Sequence, residues 1–344
     1  MSVDDFDSVA KFAQDCISRV PVVVLGSGAS IPHGYPSMPS LAVYLTMNVD
    51  TNGLNARELQ QWSEFRNLVA TSDLEKALTD VHTSEDLTHR IIESTWECIA
   101  EAERKVFLQL IDSPQCLPLT RLFRKLFAST HSKIDIVTTN YDRIAELAAD
   151  GAAYCHNTGF SHGFYRTRHT GQPIELFQSL KPVRTVNVWK VHGSLDWFEN
   201  VDKVTIGLPV PEARYQGLAP VIVTPGVDKY RRTQQEPFRT ILGAADAALA
   251  EAESYLCIGY GFNDEHIQPK LIERCRSNPV PLVIITKTLT QKTQEFLASG
   301  QCLSYLALEE CAGGTFAFTN NAPGGFRLPG ANAWTLPGFL DLVG

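Results

Sequence analysis

The sequence lacks a run of about 18 apolar residues, so we expect no transmembrane helix. It also lacks an excess of basic residues, because 30 Lys and Arg stand against 38 Asp and Glu, a formal net charge of −8. This balance argues against a protein that coats nucleic acid or an anionic membrane, and we expect neither as a partner. The amino-terminal segment has neither the basic start nor the apolar centre of a signal peptide.

No CxxC pair occurs among the eight cysteines, which are scattered along the 344 residues. A disulfide framework or a zinc ribbon is therefore not expected, and a reducing cytoplasm is the simplest compartment. Hydrophobic residues make up 44% and charged residues 20% of the chain, which are ordinary globular values and exclude intrinsic disorder. We therefore expect a cytoplasmic protein with a sizeable core, in which the cysteines are mostly buried apolar residues.

Short β-branched runs bounded by turn residues predict strands at 21–25, 134–138, 186–191, 221–224, 255–258, 282–286 and 303–308. Their continuous apolar character is typical of strands buried on both faces, and hence of a parallel sheet covered by helices. Helical patterns lie between several of them, at 4–19, 142–150, 234–252 and 264–276. The alternation predicts a Rossmann-like, doubly wound α/β fold with a mainly parallel sheet of six to seven strands.

Two segments fall outside this alternation. Residues 41–130 contain three stretches of helical period without a strand between them, and we interpret them as a helical insertion after the first strand. Residues 312–344 are rich in Gly, Pro and Asn, and we expect an extended arm that packs on the body or on a neighbouring subunit. The Rossmann-like domain then comprises residues 1–40 and 131–311.

The first candidate site is a glycine-rich turn directly after a buried strand. It reads Gly26, Ser27, Gly28, Ala29 and Ser30. Glycines let the backbone approach a phosphate closely, and N–H groups in such a turn can bind it, so a nucleotide diphosphate is the favoured ligand. The alternative is a tight turn without a ligand. The dehydrogenase fingerprint needs a further glycine where Ile31 stands, so hydride transfer is disfavoured.

Three other motifs also follow strands, at the edge where open α/β sheets bind ligands. Asn140 and Asp142 belong to the motif Thr138-Thr139-Asn140-Tyr141-Asp142 and could position water or a sugar hydroxyl. Alternatively, one of them caps the next helix. His192, before a glycine, could be a general base or a structural histidine.

The last motif is a glycine turn from Gly259 to Asp264. In it, Asp264 is a plausible helix cap, and Glu265 and His266 are interpreted as first-turn residues. The side chains of all these strand ends can converge on one crevice.

Together these motifs resemble the sirtuin family, specifically its divergent bacterial branch linked to antiphage defence. The matches, in order, are the GAGxS turn at 26–30, the Gly-Ile-Pro step at Gly34-Tyr35-Pro36, the Thr-Gln-Asn-Ile-Asp motif at 138–142, the His-Gly pair at 192–193, and loosely the Gly-Thr-Ser turn at 259–261. The sirtuin zinc module is absent, since no cysteine occurs between His192 and Cys257. The Phe-Arg after the Gly-Ile-Pro step and the late Ile-Asn are missing too.

The resemblance implies an NAD⁺ hydrolase that releases nicotinamide and ADP-ribose, with no zinc. It implies catalytic roles for Asn140, Asp142 and His192. It implies binding of NAD⁺ by Gly26, Ser27, Gly28, Ala29, Ser30, Pro36, Thr139, Gly259 and Gly261. The alternatives are an NAD-dependent protein deacylase and a non-catalytic module that binds NAD⁺ or ADP-ribose and regulates a partner. The resemblance also implies a homo-oligomer with a separately encoded partner such as a HerA-type ATPase.

Overall fold

The computed structural model describes residues 3–169, 174–224, 235–264 and 267–344. Among these residues the strands are β1 (Val22–Leu25), β2 (Lys133–Thr138), β3 (Cys155–Asn157), β4 (Arg166–Thr167), β5 (Phe177–Gln178), β6 (Lys181–Pro182), β7 (Thr185–Lys190), β8 (Gly193–Glu199), β9 (Thr205–Gly207), β10 (Ala219–Ile222), β11 (Tyr255–Ile258), β12 (Leu282–Thr286), β13 (Tyr305–Cys311), β14 (Gly314–Thr319) and β15 (Ala322–Pro329).

The α-helices of the same residues are α1 (Val3–Ser18), α2 (Met38–Asn48), α3 (Ala56–Thr71), α4 (Leu74–Asp80), α5 (Glu85–Asp112), α6 (Pro118–Leu126), α7 (Ile144–Gly151), α8 (Phe238–Glu251), α9 (Gln268–Ser277), α10 (Gln291–Ala298) and α11 (Leu336–Leu342). The helices predicted at 234–252 and 264–276 correspond to α8 and α9. The predictions for Gln234, Glu265 and His266 lie outside the described residues. None of the described helices is long and apolar enough to cross a membrane.

The central sheet has the order β15-β14-β13-β12-β11-β1-β2-β7-β3 across the described chain. The strands from β3 through β13 in this order pair in parallel, and β14 and β15 continue the sheet as antiparallel strands. The mainly parallel, Rossmann-like fold is therefore confirmed. The sheet is wider than the six to seven strands expected, because an antiparallel pair extends its parallel part.

Alternating side chains of the central strands bury opposite faces of the sheet, as the period of two requires. Val23 and Leu25 face the core beneath α1, α5, α6 and α7, whereas Val22 and Val24 face the core that includes α8 and α9. Both faces of β1 are thus buried from solvent, which explains why its sequence is an unbroken apolar run.

One predicted strand needs correction, and one parallel strand of the central sheet was missed. Val221 and Ile222 of the run predicted at 221–224 belong to β10, in a second sheet of order β10-β8-β9-β4 where β10 pairs antiparallel with β8, and Val223 and Thr224 lie beyond the strand. The polar strand β3 was not predicted, because Cys155-His156-Asn157 carries no β-branched residue. Its place at the edge, beside β7 alone, tolerates that composition.

The interpretation of residues 312–344 as an extended arm is also corrected. These residues form β14, β15 and α11, and the side chains of Leu328, Phe339 and Leu340 are buried in the main core. The antiparallel pair continues the hydrogen bonding of β13, so this segment completes the sheet.

Residues 38–126 contain helices α2 to α6, between β1 and β2. The first of these helices bury their own cluster, in which the rings of Trp62 and Phe65 stack with centroids 5.2 Å apart. Helix α5 joins this segment to the body, because the indole N–H of Trp96 donates to the carbonyl of Leu195, at 2.8 Å.

Candidate functional site

Four parallel strands end in register at one edge of the sheet. Leu25 at the end of β1 pairs with Ile258 of β11 on one side and Thr138 of β2 on the other, and Thr138 in turn pairs with Lys190 of β7. From β1 the chain continues to one neighbour, β2, and later returns to the other, β11. This reversal of strand order is the position where open α/β sheets bind ligands. All the motifs predicted from the sequence follow these four strand ends.

The glycines after β1 and β11 let two turns touch. A Cβ on Gly26 would lie 2.3 Å from the carbonyl oxygen of Gly259, and one on Gly28 would lie 2.7 Å from the Gly259 Cα. Gly259 itself has φ +56°, which glycine adopts without strain. The absence of side chains here is thus required by the contact between the turns.

Most backbone N–H groups of the first turn already have acceptors. Gly26 and Gly28 donate to the carbonyls of Ile258 and Gly259 at 3.0 and 3.2 Å. Ala29 and Ser30 donate within the turn, each at 3.0 Å. Among the described residues, only the Ser27 amide of this turn has no backbone acceptor. Binding of a diphosphate by these five amides therefore stays a prediction.

Asn140, Ser30 and Asp142 form a hydrogen-bonded chain. The Asn140 side-chain N–H₂ donates to the Gly26 carbonyl at 2.9 Å and to the Ser30 hydroxyl at 3.1 Å. That hydroxyl donates to Asp142 Oδ2 at 2.8 Å. The orientation of the Asn140 amide is thus fixed on both donor sides, which leaves its carbonyl oxygen as the acceptor for a ligand hydroxyl or water.

Asp142 also supports the start of α7. Its Oδ1 accepts the backbone N–H of Ile144 at 3.1 Å. Asp142 therefore both supports the helix start, as the alternative interpretation expected, and binds Ser30 through its other oxygen. The carboxylate is buried. Burial raises the pKa of Asp142 above its ordinary value of 3.8, and the nearby Lys190 ammonium and Ser30 hydroxyl oppose this rise.

His192 and Asp264 form a second polar pair at the same edge. His192 Nε2 lies 3.1 Å from Asp264 Oδ2, and both side chains are buried. The sequence indicated Asp264 only as a helix cap, and its Oδ1 does accept the Ile267 N–H at 3.2 Å. The sequence does contain a signal for this pair, because Asp264 is an acidic residue that closely follows a strand end. That position does not by itself show that His192, on a distant part of the chain, is its partner.

Tyr141 links the two polar groups. It lies between Asn140 and Asp142 in the chain, and its hydroxyl donates to the Val223 carbonyl at 2.6 Å. Burial raises the pKa of Tyr141, and the carboxylate of Asp264 adds to this effect, which places Asp264 within electrostatic reach of the ring. The Val223 amide donates to the His192 carbonyl at 2.8 Å, so the Tyr141 loop and the His192 loop share one neighbour.

Gly193, the residue after His192, fixes the exit of that loop. It has φ +93°, and a Cβ there would lie 2.1 Å from the carbonyl oxygen of Val221. The chain therefore turns sharply from the parallel sheet into β8, and His192 stays at the turn.

The other predicted binding residues are placed less directly. Thr139 lies beside Asn140 after β2, and Pro36 follows the buried Tyr35, which is within electrostatic reach of Asp142. The Gly261 carbonyl accepts the Thr290 hydroxyl at 2.5 Å, and a Cβ on Gly261 would lie 2.9 Å from the Thr290 side chain. Gly261 is thus explained by packing against the start of α10.

Four cavities are found among the described residues. The largest, about 850 Å³, lies between α2 and α3, and another of about 480 Å³ is lined by Glu103, Arg143 and Arg166. None of these four is lined by Asn140, His192 or residues 26–30. The described residues hold no group of three His, Cys, Asp or Glu side chains that could bind a metal ion. All eight cysteines are free thiols; Cys16, Cys257, Cys275 and Cys302 are buried and the others are half-buried.

The fold and the edge together define a Rossmann-like α/β protein with a hydrogen-bonded Asn-Ser-Asp chain and a His-Asp pair at its topological switch point. Residues 135–279, less than half of the chain, match the family model of the SIR2-like domain. This span includes the Asn140, His192 and Asp264 motifs and leaves out the glycine turn after β1. No curated protein matches the chain.

Several solved structures are similar at low identity. A Sir2 enzyme from work on the mechanism and regulation of these enzymes is 15% identical, with 83% of this chain and 88% of that one covered and a TM-score of 0.42. Sir2Tm bound to a propionylated peptide is 15% identical, with 85% and 89% covered and a TM-score of 0.43. Sir2 with a p53 peptide and NAD⁺ is 14% identical, with 80% and 86% covered and a TM-score of 0.39.

Proposed function

We propose that this protein hydrolyses the nicotinamide–ribose bond of NAD⁺ to nicotinamide and ADP-ribose. The observation that carries the proposal is the register of four strand ends, which brings the Asn140 chain and the His192–Asp264 pair to one edge at the switch point. The match of residues 135–279 to the SIR2-like domain supports NAD⁺ as the dinucleotide.

In this reaction the bond between nicotinamide nitrogen and ribose breaks, and nicotinamide leaves as a neutral molecule with the bonding electron pair. The ribose carbon becomes cationic, and the oxygen of water adds to it. His192 takes the proton of the water or of a ribose hydroxyl as general base. Asp264 orients the ring and stabilises the imidazolium that forms, the role of the carboxylate in Ser-His-Asp triads.

Asn140 positions the attacking water or the ribose through its side-chain carbonyl. Its amide cannot rotate freely, because Gly26 and Ser30 accept both donors, and Ser30 is itself held by Asp142. Such fixed orientation before the reaction is what makes a polar group effective in catalysis.

The test is mass spectrometry of NAD⁺ incubated with the purified protein, with Asn140→Ala as the inactive control. Nicotinamide and ADP-ribose without any peptide support the proposal. Acetyl-ADP-ribose that forms only with an acetylated peptide would instead identify a protein deacylase. Binding of NAD⁺ without turnover, also in the presence of its natural partner, would identify a regulatory module.

The proposal extends to the setting that the motif resemblance implies. There the protein is a homo-oligomeric effector of bacterial antiphage defence that works with a separately encoded partner such as a HerA-type ATPase. Light scattering of the purified protein tests the first part, since a mass at a multiple of 38.0 kDa supports a homo-oligomer and 38.0 kDa contradicts it. The role in antiphage defence is tested by infecting bacteria that carry the system with phage, where the His192→Ala variant should fail to protect them and the wild type should protect them.

A further inference from the structure

Lys190, the last residue of β7, is completely buried beneath the candidate site. Lysine is rarely buried in full, because removing its ammonium from water is costly. Val186 and Val188 occupy the same face of β7, at spacings of two residues, and belong to the core there. A further apolar residue would fill position 190 more cheaply, so the charge calls for an explanation other than packing.

The contacts of the Lys190 ammonium lie on the loop that carries Asn140. It donates to the backbone carbonyl of Asp142 and lies 3.4 Å from Glu146 Oε1 on α7. Lys190 therefore joins the end of β7, two residues before His192, to the connection between β2 and α7. Through Asp142 and Ser30 the contact reaches the Asn140 amide.

We propose that Lys190 is a positioning residue for the proposed reaction, which holds the loop of Asn140 and Asp142 in place and keeps the Asp142 carboxylate able to accept the Ser30 hydroxyl. The inference rests on the proposed function. It adds to it a residue that touches neither substrate nor reacting atoms.

The surroundings of Asp142 make its charge dependent on Lys190. The charged and titratable groups in this neighbourhood are Lys190 on β7, Glu103 on α5, Arg143 before α7, Glu146 on α7 and Tyr35 after β1. Arg143 is engaged by Glu103 at 2.6 Å. Burial raises the pKa of Asp142, and the Lys190 charge is the largest influence against it. Without that charge, Asp142 would take up a proton at a higher pH, and its oxygen would no longer be a strong acceptor for Ser30.

The first experiment compares kcat and KM for nicotinamide release across pH in Lys190→Met, Lys190→Gln and the wild type. We expect Lys190→Met to lower kcat by about 10- to 100-fold with little change in KM, because a displacement of about 1 Å caused by a change away from the reacting atoms can cost about 10²-fold. The acidic limb of its kcat profile should move to higher pH. Lys190→Gln keeps a donor for the Asp142 carbonyl but has no charge, so it should show the same displaced limb with a smaller loss of kcat.

Val188→Ala is the matched control, because it removes buried volume from the same face of β7 but removes no charge and no side-chain hydrogen bond. It should lower the unfolding midpoint and leave the pH profile of kcat unchanged. An acidic limb at its wild-type pH in both Lys190 variants would overturn the inference. So would an equal displacement in Val188→Ala.

A second measurement needs no activity. We expect the urea midpoint of Lys190→Gln to fall more steeply than that of the wild type as pH rises above 3.8, the ordinary pKa of Asp142, because the buried Asp142 carboxylate then ionises without its cation. Adding Asp142→Asn should remove part of this extra slope. If this dependence of the extra slope on Asp142 is found but the wild type cleaves no NAD⁺, the proposed function is refuted and the link between Lys190 and Asp142 stands. An active wild type without this dependence would refute the role of Lys190 alone.

Discussion

At the scale of single residues, the contact between His192 and Asp264 determines what the histidine can do. The 3.1 Å distance joins Nε2 to a carboxylate oxygen, so Asp264 can fix the ring and stabilise its protonated form. We expect His192→Ala to lower the rate of nicotinamide release by about 10²- to 10⁴-fold. Asp264→Asn keeps the size of the side chain and a polar contact to His192. Its rate of nicotinamide release should therefore lie between those of His192→Ala and the wild type.

Steady-state assays of nicotinamide release from pH 5 to pH 9 check both variants. A His192→Ala rate equal to the wild type would remove His192 from the mechanism.

Asp142 illustrates a conflict between stability and function in one side chain. Burial raises its pKa, so the folded protein binds a proton more tightly than the unfolded chain does. The contribution of Asp142 to the free energy of unfolding is therefore largest below its ordinary pKa of 3.8 and declines as pH rises through the folded-state value. Asp142→Asn has no such decline.

We expect the stability of Asp142→Asn relative to the wild type to increase as pH rises from about 4. We also expect Asp142→Asn to be less active than the wild type. Urea unfolding at a series of pH values, followed by tryptophan fluorescence, measures the difference. A constant difference across that range, or one that declines with pH, would contradict the assignment of Asp142 as a carboxylate that burial holds toward its protonated form.

At the scale of secondary-structure elements, the turns after β1 and β11 stabilise each other by close approach. A methyl group on Gly26 would meet the Gly259 carbonyl oxygen at 2.3 Å, and a backbone atom cannot move aside as a flexible side chain does. Gly26→Ala should therefore lower the free energy of unfolding by about 1–3 kcal/mol or more. Gly243→Ala is the control, since Gly243 lies in α8 with open space around it.

In Gly243→Ala, helix propensity predicts a gain of up to about 1 kcal/mol. Urea unfolding of both variants measures the changes. Equal stability of Gly26→Ala and the wild type would mean that the two turns leave room for a methyl group between Gly26 and the Gly259 carbonyl, and that the glycines serve another purpose.

Elements that are buried on both faces were predictable from the sequence, and elements at the rim of the sheet were not. The runs at β1, β11 and β12 are almost wholly apolar, and those at β2 and β7 largely so, because these strands are buried between the helices on the two faces of the sheet. The run at 221–224 has the same composition, but its partner is β8, and a strand's partner is a tertiary choice that composition does not encode. Residues 322–329 include two glycines, yet form β15 because β14 offers them its open edge.

The same distinction applies to the candidate site. The positions of Asn140, Asp142 and His192 followed from the rule that parallel strands end at one edge. The hydrogen bond from Ser30 to Asp142 joins residues 112 positions apart, and the contact of Asp264 with His192 joins two separate loops. Such contacts depend on the register of the strands, which single motifs do not contain.

At the scale of the whole molecule, the proposed function requires that the dinucleotide bind the folded state. A ligand that binds only the native protein raises its stability by RT ln(1 + [L]/Kd), about 2.7 kcal/mol at a concentration of 100 Kd. His192→Ala should bind NAD⁺ without consuming it, so thermal unfolding of this variant can be followed at constant ligand. We expect the unfolding temperature to rise by a few degrees with NAD⁺ and with ADP-ribose, and to respond far less to nicotinamide alone.

The experiment includes Gly243→Ala in the His192→Ala background as a control for changes in stability that do not concern the site. Both proteins should show the same increase with NAD⁺. Ser27→Pro in that background removes the one amide of the glycine turn that has no backbone acceptor among the described residues, and should reduce the increase if this turn holds the diphosphate. An unfolding temperature that does not depend on NAD⁺ or ADP-ribose concentration would show that the switch-point edge is not a dinucleotide site, because binding to the native state and stabilisation of that state are thermodynamically inseparable.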